Sequence, residues 1–471
     1  LTRSTPKGLT VAVLAFTGLC SAYMFTLVVP IQAELPQLLD AQRSDTAWVV
    51  TITLLVAACA TPISGRLGDM YGKRRIVLVL IGLLIAGSAV AALSGGIGGL
   101  ILGRAMQGAT TGVIPLGIAI MRDVLPPARL GTAVALMSAT MGVGSALGMP
   151  ISALIVEHLD WHMLFWVAAA LGVLALLLVA LFVPPSTLRT PGRFDFVGAA
   201  GLAAGLVGVL LAVSRGADWG WLSPATLGAG LGGVAVLLLW GWYQLRVAEP
   251  LLDLRVAARP AVLYTNLAAI GMGFALFGTS VTLPQMLELP VESEAGLGLS
   301  LFAAALVVMP SGIVMMVISP LSGWLERRMG ARFMLAFGTG AVAVAYAFLL
   351  IWSSEVWHLL VANILVGVGV GFSFAAMPML IMRSVPSHET GASNGINALF
   401  RSLGTSAASA TMAAVLAALT VDFQGTPVPT HAAFDTCFWL GAVAALGACI
   451  LSFFIPKHPH YAEHAAVPDR P

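Results

Sequence analysis

Charge is what this sequence has least of. Asp, Glu, Lys and Arg make up 9% of its 471 residues, where a soluble domain carries about 25%, so they cannot clothe a water-facing surface. A secreted protein, a cytosolic enzyme and a nucleic-acid binder are excluded on that ground. Cysteine is scarce too. Cys20, Cys59, Cys437 and Cys449 all fall in apolar segments, without the spacing of a metal site or the surface position of a disulfide framework, and read as small packing residues. His158, His162 and His358 also lack metal-ligand spacing, so no metal is expected. There is no phosphate-binding glycine loop and no nucleophile elbow, hence no cofactor is expected.

Apolar residues are what the chain has in excess, at 59% with a mean hydropathy of +0.95. A membrane span takes roughly 20 of them. Runs of that kind fall at 9–31, 47–65, 76–94, 98–121, 130–157, 161–183, 195–214, 223–244, 260–288, 300–323, 333–352, 357–382, 392–420 and 436–455. The connections are too short to hold a soluble domain. The fold class is therefore an all-α polytopic membrane protein with 14 transmembrane helices. The 51 Gly and 26 Pro lie inside the apolar runs and suit packed, locally broken membrane helices. The first run follows Arg3 and Lys7 as a signal peptide would, but bulky Leu19 stands where a cleavage site wants a small residue, so it reads as a retained helix. The chain opens at Leu1 rather than Met, and a few native residues are expected before it.

Basic residues give the orientation. Of the 23 Lys and Arg, 19 fall on one side, among them Arg66, Lys73, Arg74, Arg75, Arg122, Arg129, Arg327, Arg328 and Lys457. Arg43 and Arg215 fall in loops of the opposite side, and Arg104 and Arg401 lie within spans. The opposite loops are acidic, with Glu34, Asp40, Asp45, Glu157, Asp160 and Glu355. The positive-inside rule then puts both termini in the cytoplasm. Trp48, Trp161, Trp219, Trp221 and Trp357 stand at the outer ends of spans, where aromatic belts form.

The chain also repeats itself. Gly65-Arg66-Leu67-Gly68-Asp69-Met70-Tyr71-Gly72-Lys73-Arg74-Arg75 joins the second and third spans, and Gly323-Trp324-Leu325-Glu326-Arg327-Arg328-Met329-Gly330-Ala331-Arg332 joins the tenth and eleventh. Both place glycines seven apart, a Leu two after the first, and Arg after the second. The offset is 258 residues, long for a six-helix unit, and the helix pair at 195–244 accounts for the excess. The plan is a six-helix bundle over 1–183, an inserted helix pair with linkers over 184–259, a second six-helix bundle over 260–455, and a cytoplasmic tail over 456–471. Internal duplication with a site where the halves meet is a transporter pattern.

Gly65-x-Leu67-Gly68-Asp69-x-x-Gly72-Lys73-Arg74-Arg75 resembles the signature loop of the major facilitator superfamily. Arg104-Ala105-Met106-Gln107-Gly108 resembles its R-x-x-Q-G element. Arg193-Phe194-Asp195-Phe196-x-Gly198 is similar to the start of the inserted pair in the fourteen-helix drug:H+ antiporters. The resemblance runs from about Val11 to Pro456 and implies two six-helix bundles around a cavity alternately open to each side. It also implies that Asp69 latches the cytoplasmic side against the opposite bundle, with the helix beginning near Gly391 as its partner, and that Arg104 takes part in proton coupling.

The residues carry their own readings beside it. Gly65 and Gly72 permit a tight turn packed on a neighbouring helix, whereas Lys73, Arg74 and Arg75 can equally be topology charges. Buried charges are usually functional, but Arg104, with Gln107 and Gly108 on its face, also suits a hydrogen-bonding post between helices. Arg401 reads as cavity lining or as bundle packing. Ser21 and Thr26 stand where first-span drug:H+ exporters carry Asp and Asn, and no Asp or Glu lies deep in any span. Glu34, Asp123 and Glu288 are the nearest acids. Glu34 is the candidate for proton coupling with Arg104, and all three read foremost as solvated interfacial charges. Gly144, Gly148 and Pro150 replace the antiporter motif of the fifth span with a displaced proline, and keep the small residues that close helix packing needs. Tyr23, Thr26, Gln107, Asn266, Gln285, Asn363, Asn394 and Asn397 are candidates for the cavity or for bonds between helices.

The function expected is a secondary active transporter of the bacterial inner membrane. It would export hydrophobic or amphipathic, drug-like small molecules by alternating access coupled to protons, as a monomer in contact with membrane lipids. A lipid or anionic-metabolite carrier is the rival within transport, because both intramembrane charges are arginines. A non-transporting membrane sensor is the rival outside it.

Overall fold

A computed structural model describes residues 7–456 apart from 29, 30, 33, 47, 186–188, 190, 191, 387, 388, 424 and 425. Arg3, Pro30 and the tail 457–471, with Lys457 and Arg470, lie outside the described residues. The chain runs through α1 (Lys7–Thr26), the single turns α2 (Leu35–Leu38) and α3 (Arg43–Thr46), α4 (Trp48–Tyr71), α5 (Lys73–Ala92), α6 (Ile97–Gly108), α7 (Val113–Val124), α8 (Pro127–His158) and α9 (Met163–Phe182). It continues through α10 (Phe196–Trp219), α11 (Pro224–Gln244), the single turn α12 (Leu254–Ala257), α13 (Pro260–Glu288), α14 (Leu301–Val308), α15 (Pro310–Met329), α16 (Ala331–Ile351), α17 (Val356–Met382), α18 (Thr390–Ala418) and α19 (His431–Phe453).

Among the described residues, twelve helices are long and apolar enough to cross a membrane, with α14 and α15 together forming one of them. Proline explains that break: Pro310 has no N–H and cannot continue the hydrogen-bond ladder. Helices α6 and α7 follow each other through a 3₁₀ turn at Ala109–Gly112. Helix α18 is 29 residues long but rich in Ser, Thr, Asn and Gly, a composition that fits its buried position. Between α18 and α19 the all-α expectation fails locally. Strands β1 (Thr420–Phe423) and β2 (Thr426–Pro429) pair antiparallel, with Val421 opposite Val428. The β-branched Thr420, Val421, Thr426 and Val428, in a loop too short for another helix, favour the ribbon.

The repeated segments are helix rather than loop. Gly65 to Tyr71 forms the last turns of α4, and Gly72, at φ 107°, is the one residue between α4 and α5. Gly330, at φ 84°, does the same between α15 and α16. Leu, Met and Arg within each segment favour helix. A single glycine at positive φ then reverses the chain where other residues would be strained. We call the end of the molecule that carries these two turns the basic end.

Helix α8 packs along α1, where a Cβ on Gly144 would come within 2.6 Å of Ala22 Cβ and 2.9 Å of the Leu19 carbonyl. One on Gly148 would meet Thr26 Oγ1 at 2.2 Å, and the helix continues through Pro150. The inserted pair is pinned by its opening motif. Asp195 caps α10 by accepting from the Gly198 N–H at 2.7 Å, and Gln244 Nε2 and Tyr243 OH donate to the same carboxylate from the end of α11. Leu202, Leu206 and Leu210 of α10 pack with Leu55 and Ala58 of α4 and with Ile396 and Leu399 of α18. Arg215 is not in a loop as expected. It lies in α10, 3% exposed, with its guanidinium carbon 4.7 Å from the Trp48 ring centre, because α10 runs on past residue 214 and the indole face replaces water around the cation.

Gly144→Val forces a branched side chain into the α1–α8 contact and is expected to cost about 1–3 kcal/mol. The midpoint of thermal unfolding in detergent should fall, while Leu147→Ala, on an exposed face of the same helix, should leave it nearly unchanged. Equal midpoints for Gly144→Val and the parent chain would contradict this packing.

Candidate functional site

Helices from the two repeats meet along a seam. On it α4 packs against α18, α8 against α15 and α17, and α7 against α18. At the basic end the approach is close enough for backbones to touch: a Cβ on Gly65 would lie 2.5 Å from the Gly391 carbonyl oxygen. Helix α18 begins at Thr390, so the N–H groups of Gly391 and Ala392 belong to its first turn and have no partner within the helix. Asp69 fills that place. Its side chain is 1% exposed, its Oδ2 accepts from the Ala392 N–H at 2.9 Å, and a Cβ on Gly391 would stand 2.8 Å from its Oδ1. A carboxylate at a helix N-terminus satisfies free donors and meets the positive end of the helix dipole.

Other groups reinforce this end. Arg122 of α7 donates to Thr390 Oγ1 at 2.5 Å and to the Val385 and Pro386 carbonyls, which holds the α17–α18 connection. The second repeat forms its own crossing, with Arg327 donating to the Ala128 carbonyl at 2.9 Å and Gly323 against Gly131. Glu326, 4% exposed, is paired with Arg383 at 2.6 Å.

Of the expected topology charges, Arg74 donates to the Ala180 carbonyl of α9. Lys73 is fully buried and its Nζ lies 2.6 Å from Asp123 Oδ2. This corrects the reading of Asp123 as a solvated interfacial acid, since its side chain is 7% exposed. The C-terminus of α7 meets the N-terminus of α5, and two charges brought there out of water must pair. Glu34 and Glu288 are exposed.

Arg104 is 1% exposed, and oxygens without charge surround its guanidinium. Nη1 donates to the Met24 carbonyl at 2.7 Å and to Gln107 Oε1 at 2.9 Å, and Nε donates to the Val49 carbonyl at 3.3 Å. Gln107 Nε2 passes the network to Ser88 Oγ at 2.8 Å. The arginine thus ties the ends of α1 and α4 to α6 and, through Gln107, to α5. Among the described residues, neither Glu34 nor any other carboxylate is a partner of Arg104.

A small pocket lies at mid-depth on the seam, walled by Ile114 and Ile118 of α7, Ser138 and Met141 of α8, Phe374 and Pro378 of α17, and Asn394, Asn397 and Arg401 of α18. Arg401 is eleven residues into α18, roughly 16 Å from the basic end. Of the other cavity candidates, Asn397 lines the pocket and donates to Asn266 Oδ1 at 3.0 Å. Tyr23, Thr26, Gln107 and Asn363 are not in its wall. Tyr23 OH accepts from Ser152 at 3.4 Å, and Thr26 Oγ1 donates to the Tyr23 carbonyl. Asn363 donates to the Val307 and Val308 carbonyls, at 3.3 and 2.7 Å, where Pro310 breaks the ladder. It repairs a helix break, a role that an Asn in an apolar run does not announce.

Sequence reasoning missed Ser138, Met141 and Phe374, which carry no signal in an apolar chain. It also missed Arg122, which looks like any topology charge. Glu326 did carry a signal, because it stands three residues after Gly323 much as Asp69 stands four after Gly65.

Comparison with known proteins agrees with this architecture. The model of the Major Facilitator Superfamily matches residues 14–409. The lincomycin resistance protein LmrB of Listeria monocytogenes is 26% identical over 457 residues, covering 94% of either chain. An uncharacterized MFS-type transporter of Mycobacterium tuberculosis, Rv1250, is 29% identical over 374 residues, which span 78% of this chain and 63% of that relative's length. Multidrug resistance protein 3 of Bacillus subtilis is 25% identical over 76% of this chain and 70% of its own. Among solved structures, the proton:xylose symporter XylE superposes with a TM-score of 0.67 at 14% identity, covering 96% of each chain.

Arg104→Ala removes three hydrogen bonds from a charged donor, each worth about 1.5–3 kcal/mol, and leaves buried carbonyls without a partner. The folded yield and the melting midpoint in detergent should fall sharply, with partial recovery in Arg104→Lys. A variant that melts like the parent chain would show that this arginine is not a structural post.

Proposed function

The chain belongs to the major facilitator superfamily of membrane transporters, and we propose that it exports hydrophobic or amphipathic, drug-like small molecules from a bacterial cell by alternating access driven by inward proton flow. One observation carries the reading. A pocket shared by α7, α8, α17 and α18 lies above a seam tied at its basic end by Asp69 and Arg122. Untying that end while closing the other would expose the pocket to alternate sides. Relatives named for lincomycin and multidrug resistance support the substrate class, as does the apolar wall of Ile114, Ile118, Met141 and Phe374.

Further elements of the proposal follow from the chain itself. The basic end faces the cytoplasm of the inner membrane, by the positive-inside rule. The span count is fourteen when the α6–α7 pair and α18 join the twelve apolar helices. The division is two bundles, 1–183 and 260–455, with the inserted pair in 184–259 and a tail from 456, and the working unit is a monomer. Among the described residues, Asp69, Glu326 and Asp123 carry buried carboxylate side chains; Asp123 is held by Lys73 within the first repeat, whereas Asp69 and Glu326 sit where the repeats cross. Proton binding at either of these two would discharge a group that helps hold this end shut. In this proposal coupling acts at the gate, as an alternative to coupling at Arg104 and Glu34.

The test is flux in liposomes that contain a pH dye, with lincomycin as the first probe. Probe-dependent proton movement is expected under a pH gradient. Asp69→Asn removes a charge–dipole contact worth about 1–2 kcal/mol, so turnover should fall by about 5- to 30-fold while the probe still binds. Unchanged turnover would remove the latch, and flux indifferent to the gradient would remove proton coupling.

A further inference from the structure

The mid-depth pocket carries two groups that the protein leaves open. Arg401 is half-buried, and among the described residues no carboxylate lies beside its guanidinium. Its contacts are Met141 Sδ, at 3.3 Å from Nη2, and the Phe374 ring, whose centre lies 4.8 Å from the guanidinium carbon. A thioether is a weak acceptor, so a cation with five donors spends its contacts on a soft sulfur and an aromatic face. Asn394 is 4% exposed and lines the same pocket; its Nδ2 donates to the Thr390 carbonyl at 2.9 Å, and its Oδ1 has no hydrogen-bond partner.

Both side chains project from one helix, seven residues apart, so they share a face two turns long, about 10 Å. An arginine side chain on a helix leans back toward the N-terminus, which brings the guanidinium toward Asn394. Arg104 makes the contrast. It is equally without an acid, but carbonyls and an amide occupy it. Arg401 is the intramembrane charge that the fold leaves to be completed.

We propose that this pocket is the head-group subsite of the export path. It takes an amphipathic monoanion whose carboxylate docks on Arg401, whose neighbouring N–H or O–H donates to Asn394 Oδ1, and whose apolar body runs along Met141, Phe374 and Ile118. This rests on the transporter reading and narrows its substrates from amphipathic molecules in general to those with an acidic, donor-flanked end. With the seam closed the pocket has room for little more than a water-sized group, so the ligand would enter as the seam parts. The phosphate of an anionic lipid offers the same charge, so the source of the anion has to be separated experimentally.

The experiment is equilibrium binding to the full chain in phosphatidylcholine nanodiscs. The probes are N-octanoylglycine, which joins a carboxylate to an adjacent amide N–H, its methyl ester, and octyltrimethylammonium. The acid should bind at least tenfold more tightly than the ester or the cation. Arg401→Gln should abolish that preference and Arg401→Lys should restore part of it, with melting midpoints near that of the parent chain. Asn394→Leu should weaken the acid severalfold without reversing the preference. Repeating the titration in phosphatidylglycerol nanodiscs separates the sources. Loss of binding there, dependent on Arg401, assigns the site to lipid phosphate and overturns the monoanion substrate; unchanged binding supports it. Equal affinity for acid and cation, or an acid preference that survives Arg401→Gln, also overturns the proposal. Because binding is read without flux, its failure is distinct from a failure of transport.

Discussion

The contact on which the rest of the structure depends is the docking of one carboxylate on the start of one helix. Asp69, near the end of α4, lies against the first-turn N–H groups of α18 from the other repeat, and the two backbones touch at Gly65 and Gly391. A helix that starts inside a protein has donors that must be satisfied. Here the satisfying group comes from across the seam, so the helix end and the closed seam stabilise each other. Arg122, which binds Thr390 and the carbonyls before it, extends the same tie, and Arg327 repeats it between α15 and α8. Such contacts are short in range and few in number, and are therefore separable by a small change in charge.

The same economy governs the two arginines within the apolar layer. A cation taken out of water needs acceptors, and Arg104 and Arg401 are treated in opposite ways. Arg104 is surrounded by the Met24 and Val49 carbonyls and Gln107, and it binds helices together. Arg401 is given a sulfur and a ring and faces a pocket. The first arrangement is complete without a ligand. The second leaves the guanidinium with a thioether and an aromatic face, and the proposed anion would complete it.

Much of the fold was legible because membrane spans are long and their limits follow from apolar length. The Gly–Asp–Gly segment and its counterpart 258 residues on revealed the repeat, and the helix near Gly391 was the expected partner of Asp69. What was not legible is pairing at close range. Composition showed Asp123 and Lys73 as two charges at span ends, and only the meeting of α7 and α5 makes them a buried ion pair. Asn363 looked like a cavity residue until the break at Pro310 brought the Val307 and Val308 carbonyls beside it. Arg215 looked like a loop charge because apolar length alone ended α10 too early. In each case the deciding fact is which helix lies opposite, and one chain read in order does not contain it.

Paired spin labels give the most direct measurement. With the four cysteines replaced, one pair would sit at Tyr71 and Met329, exposed at the basic ends of α4 and α15, and a second at Leu93 and Trp352, exposed at the opposite ends of α5 and α16. If Asp69 holds the basic end shut, Asp69→Asn should lengthen the first distance and shorten the second in the same population of molecules. Distance distributions that do not respond to the substitution, or that both lengthen together, would contradict the account.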